Sequence, residues 1–142
     1  MTELEQSATI LRALAGVREQ FLVLAQRLER EADVLEVTSD FDVRSYQNKT
    51  WIESFVEAKL TTGNFVVWWL DIREHEGEWL LEPVVFIQHS ERQDDIARLP
   101  MTRVSNDNQF AFAVNKAVTA LLAAPDQHLR VAVTWKGASS PS

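Results

Sequence analysis

Two histidine–carboxylate clusters are the first places where this 142-residue chain could do chemistry. Glu74-His75-Glu76 is one; His89-Ser90-Glu91, with Asp94 and Asp95 just beyond, is the other. Imidazole and carboxylate together suit zinc, manganese or iron. The elements that must carry them hold them apart. His75 falls in the charged turn that follows an apolar run, and His89 falls at the far end of the next strand. At about 3.3 Å per residue the two are separated by nearly 40 Å, so one protomer cannot bring them to one ion. His89 with Glu91, Asp94 and Asp95 could act alone, but the same residues make an ordinary solvated acidic loop. His128, beside Pro125 and Asp126, is given no role. No metal ligand and no cofactor is assigned.

A second group is Glu57-Ala58-Lys59, with Asp40 or Asp42 upstream. An acidic residue followed by E-x-K on a neighbouring strand resembles the PD-(D/E)xK nucleases. The resemblance implies Asp42 and Glu57 as magnesium ligands and Lys59 as the group that positions the attacking water. It covers only "D…ExK": the chain has no Pro-Asp dipeptide, and the following strand is apolar on both faces. Glu57 and Lys59 equally read as a charged pair on an outer sheet face. No serine or threonine sits in a glycine-flanked elbow, and no two of the four glycines form G-x-G.

The third group is aromatic: Trp51, Phe55, Phe65 and Trp69. Stacking of nucleic-acid bases requires such a surface with basic residues interleaved. Here the neighbours are Glu53, Glu57 and Asp71, with only Lys59 and Arg73 opposing them. An aromatic face rimmed by charge instead has the anatomy of a protein interface. The four residues are the candidate partner-binding set.

These side chains depend on the elements that carry them. Leu4, Leu11, Leu14, Val17, Phe21, Leu24, Leu28 and Leu35 recur at helical spacing, which predicts one long helix from residue 3 to about 36. Thr2 and Glu5 form its capping box. Gly16 is its weak point, where the helix either breaks or continues with one end overhanging the domain. Residues 37–50 read as a short edge strand or an ordered loop. "WIESFVEAKL", "FVVWWLDI" and "EWLLEPVVFIQH", joined by the turns "TTGN" and "EHEG", read as an antiparallel meander. Ile52, Val56, Ala58 and Leu60 share the core face with Val66, Trp68, Leu70 and Ile72, whereas Phe65, Val67 and Trp69 point away beside Trp51 and Phe55. Pro83 requires an edge or a bulge. Residues 90–104 read as an irregular or single-turn helical connection. The stretch from Phe110 to Leu122 reads as an amphipathic helix stopped by Pro125, and 129–135 as a last strand.

The expected fold is α+β: a long N-terminal helix, an antiparallel meander sheet of four to five strands, and a C-terminal amphipathic helix packed on the sheet. Residues 1–136 are expected to form a single domain and 137–142 a flexible tail. With 46% hydrophobic and 25% charged residues the chain is globular in composition. A net charge of -7 disfavours nucleic-acid binding, where affinity comes from Lys and Arg. It suits a basic protein partner. No cysteine is present, and no run is long and apolar enough for a membrane span. The start of the chain has no signal-peptide pattern, so the expected location is cytoplasmic and Asn48-Lys49-Thr50 is not taken as a glycosylation site. A small, acidic, cysteine-free α+β chain looks like toxin-immunity proteins and secretion chaperones in general shape. The function expected is therefore non-catalytic protein binding, as a homodimer. The alternatives are the nuclease and a small-ligand binder with a pocket between sheet and helix.

Overall fold

The computed structural model describes residues 3–47 and 49–135. The capping residue Thr2, the glycosylation-like Asn48 and the expected tail 137–142 lie outside the described residues. The chain runs through α1 (Glu3–Leu28), β1 (Val34–Tyr46), β2 (Lys49–Leu60), β3 (Phe65–His75), β4 (Glu78–His89), β5 (Arg92–Arg98), β6 (Thr102–Val104), α2 (Phe110–Leu121) and α3 (Pro125–Val133). A single 3-10 turn, Asp107–Gln109, leads into α2.

The sheet is antiparallel with strand order β1-β2-β3-β4-β5, and β6 pairs β4 beyond the end of β5. The α+β architecture read from the sequence is the architecture present. The three helices lie against one side of the sheet: α1 over β1 and β2, α2 over α1 and β4, and α3 against β3 and β5. Between helices and sheet sits the core. It includes Val17, Phe21 and Leu28 of α1, Ile52, Val56 and Leu60 of β2, Trp68, Leu70 and Ile72 of β3, and Phe110, Val118 and Leu121 of α2. Burying this apolar surface is the main favourable term of folding.

Three element assignments differ from the sequence expectation. α1 ends at Leu28, not near residue 36, and Gly16 lies within the unbroken helix. Leu35 continues the seven-residue step by coincidence: it sits at a bulge in β1 and is largely exposed. Residues 34–46 instead pair with β2 over its whole length, from Val34 opposite Leu60 to Tyr46 opposite Lys49. The segment read as a short strand or loop is thus a thirteen-residue edge strand.

Residues 90–104 form β5 and β6, not a helical or irregular connection. Their sequence is charged because only one edge and one face of these short strands meet protein. The third difference is 129–135, expected as a strand. Leu129 and Ala132, three apart, are buried while Val131 is exposed, which is a helical and not an alternating pattern. Pro125 opens α3 at its first turn, where a missing N–H costs nothing. Arg27 at the end of α1 holds Asp126 at 2.5 Å.

Pro83 lies on β4 between the residues that pair with β5, starting at Val84, and those that pair with β6, ending at Leu81. Its lack of a donor therefore falls where the ladder is interrupted. Its carbonyl still accepts the Leu99 N–H at 3.2 Å.

Candidate protein-docking face

On the side away from the helices, outward-pointing residues of β1–β4 fall into rows across the strands, because opposed residues of an antiparallel pair point to the same face. Asp42, Glu53, Asp71 and Glu82 are opposite one another in sequence across four strands and form an acidic row. On one side of it lies a basic row: Arg44, Trp51, Arg73, Leu80 and Arg103. On the other lies an aromatic row: Asp40, Phe55, Trp69, Val84 and Arg98. Beyond that come Thr38, Glu57, Val67, Phe86 and Asp95. Neighbouring rows are two residues, about 6.7 Å, apart along the strands.

All four aromatic residues predicted for binding lie on this face, but they do not form one patch. Phe55 and Trp69 stack, with ring centroids 5.2 Å apart and planes 10° from parallel. Trp69 also meets Phe86 at 6.3 Å. Phe86 and Val67 are buried, which makes them the floor of the patch. Phe65 lies two rows further on, level with Lys59 and Gln88.

Trp51 is separated from the aromatic row by the acidic row. Its ring lies under the Arg73 guanidinium, 4.7 Å from the centroid, and its Nε1–H donates to Asp71 at 2.5 Å. Arg73 returns to Asp71 through Nε at 3.0 Å and a second nitrogen at 2.9 Å. Asp71 is thus a buried carboxylate with charged and neutral donors around it, as a desolvated charge requires. This clamp fixes Trp51 while leaving 41% of it exposed. An open cleft of about 490 Å³ lies beside it, bordered by Lys49, Trp51, Arg73, His75, Leu80 and Arg103.

The residues of the nuclease pattern also lie on this face; Asp40, opposite Phe55, stands one row from Glu57, whereas Asp42 does not converge with it. Asp42 is opposite Glu53, while Glu57 is opposite Thr38, so the two carboxylates stand two rows apart. That is about 13 Å along the strands, beyond the span of one ion and its ligands. Asp42 accepts from Arg44 at 2.6 Å. Burial, and then the nearby Glu36, push the Glu57 carboxyl above its ordinary value. Among the described residues no group of three or more His, Asp and Glu side chains is arranged to hold a metal.

His75 and His89 stand at opposite ends of the sheet, as their spacing implied: His75 is opposite Lys49 and His89 opposite Arg92. His89 Nδ1 contacts the Asn64 amide oxygen at the end of the β3–β4 pair where β3 begins and β4 stops. His128, expected in a turn, is on α3 with its ring tilted against Trp68 at 6.4 Å.

Sequence reading named Glu53, Glu57 and Asp71 as acidic neighbours of the aromatic residues but missed that Glu53 and Asp71 align in one row with Asp42 and Glu82. The signal is present only once register is known, because Asp42 and Glu82 lie on strands whose partners had to be fixed first. No described helix is long and apolar enough to cross a membrane. No family model matches the chain, and neither a curated protein nor a solved structure matches it.

Proposed function

We propose that this chain is a non-catalytic protein-binding domain whose outer sheet face receives a partner presenting basic residues. The observation that carries the reading is the Phe55–Trp69–Phe86 aromatic patch, left open by all three helices and bounded by the acidic row. Aromatic anchors give binding energy where they can be desolvated, and a charged border selects the partner and speeds encounter. The charges bordering the patch are mainly carboxylate, so a basic surface complements it. An adaptor of the immunity or secretion-chaperone kind would use a face in this way, an analogy at the level of shape alone. A cysteine-free chain needs no oxidising compartment, in keeping with the cytoplasmic setting of this reading.

The test is site-specific photo-crosslinking in the cells that make the protein. A photoreactive residue replaces Phe55 or Trp69, and in a control it replaces Arg12, which is exposed on α1. A protein adduct of one defined mass from positions 55 and 69, absent from position 12, supports the docking face. No adduct at either outer-face position overturns it.

A further inference from the structure

The basic surface that complements the acidic row is present on the chain itself, one row away. We infer that the outer face docks a second copy of this chain, around a two-fold axis running between the basic and acidic rows and parallel to them. The inference rests on the docking-face reading and names its occupant.

Charge decides where the axis lies. An axis running along the strands sets every row over its own copy, so the acidic row meets an acidic row. An axis along the aromatic row sets the acidic row over the row that contains Glu57 and Asp95. Both place like charges together, which costs stability across an interface. An axis between the basic and acidic rows sets each over the other. Glu53 of one copy then faces Trp51 of its partner, between Arg44 and Arg73. Among the described residues neither Glu53 nor Glu82 makes an ion-pair contact within the chain; Glu53 acts on its own Arg44 only through space, so both carboxylates can still contact a partner.

The same placement carries Trp69 of each copy over Lys49 and His75 of the other, at the mouth of the cleft beside Trp51. A lysine ammonium over an indole face is attractive, more so once water is excluded. Sheets packed face to face cross at about 30°, which keeps the centres of the rows superposed. Four rows by four strands cover about 27 by 19 Å on each copy, or roughly 1,000 Å² in total before side-chain relief is counted. That is at the lower end of specific interfaces and predicts a dimer in the micromolar range.

Complementation by mixing tests this arrangement. Sedimentation velocity at roughly 100 µM, well above a micromolar Kd, should give twice the 16.2 kDa chain mass for the wild type. Glu53→Arg sets Arg against Arg at both symmetric contacts, and Arg73→Glu sets Glu against Glu. Each variant alone should sediment as a folded monomer by circular dichroism. In a 1:1 mixture both contacts are again opposite in sign, so the dimer should return. If Arg73→Glu fails to fold, Arg44→Glu replaces it, since Arg44 flanks the same Trp51. A wild type that stays monomeric overturns the inference, as does a variant that stays dimeric or a mixture that stays monomeric. Crosslinks from position 69 to a different protein, with a monomeric wild type, overturn the second copy while leaving the docking face intact.

Discussion

Trp68 and Trp69 are adjacent in sequence and opposite in environment, because successive strand residues point to opposite faces. Trp68 is fully buried under the helices, so Trp68→Ala should cost about 3–5 kcal/mol in urea unfolding and can abolish folding. Trp69→Arg should leave a cooperatively folding chain, because none of the described helices covers that face; loss of the unfolding transition would show the outer face to be core. His128 packs beside Trp68, and burial lowers its pKa below the ordinary value of 6.5. The folded state therefore resists protonation that the unfolded chain accepts. This stability is fully present above about pH 6.5 and is lost as pH falls below it. Glu57 has the opposite sign: its raised pKa weakens the fold at neutral pH, and that penalty fades as pH falls through the raised value. His128→Gln should flatten the loss of stability between pH 7.5 and 5.5 in urea titrations, relative to the wild type. An unchanged slope would mean that His128 is solvated in solution.

At the scale of elements, what could be read from the sequence followed the strength of the periodic signal. The meander from β2 to β4 was legible because turn residues bracket three long runs, one alternating and two apolar on both faces. α2 was legible because Phe110, Val114, Ala117, Val118 and Leu121 hold one helical stripe. β1 was not, because an edge strand meets protein on one side only and Asp, Ser and Arg fill the rest of it. α3 read as a strand because "LRVAV" satisfies both periods, and only the neighbours of Leu129 and Ala132 decide between them. The aromatic members of the candidate face were legible one by one, and their grouping with the carboxylates was not.

β1 also shows how a long free edge is kept from pairing. The Phe41 N–H donates to the Asp40 side chain at 2.8 Å, so it is not directed to β2, and the carboxylate blocks that edge position. Asp40→Ala should change stability by less than about 1 kcal/mol, as exposed substitutions do. It should nevertheless shorten the lag of thioflavin-positive aggregation at high protein concentration. An unchanged lag would show that other charges on β1 suffice to protect the edge.

At the scale of the whole molecule, salt acts with two signs. A net charge of -7 on 142 residues repels itself, and the acidic row concentrates part of that repulsion on one face. Screening it should stabilise the isolated chain, because the Debye length falls from about 10 Å at 0.1 M salt to about 3 Å at 1 M. In the dimer inferred above, the paired faces work in the opposite direction: basic row against acidic row is an attraction between unlike charges, and the same screening weakens it. Binding of a second copy adds to apparent stability by mass action, so the balance between the two effects must change with protein concentration. In dilute solution, below the dissociation constant, the midpoint of thermal unfolding should rise with added salt. In concentrated solution the rise should shrink or reverse, as the dimer contribution is removed while the repulsion is relieved. The monomeric Glu53→Arg variant should show no such dependence on concentration, because it has no dimer to lose. Scanning calorimetry of both proteins over a matched series of salt and protein concentrations measures this. A wild-type midpoint that responds to salt equally at all concentrations would leave self-repulsion as the only electrostatic term and remove the copy-to-copy contact.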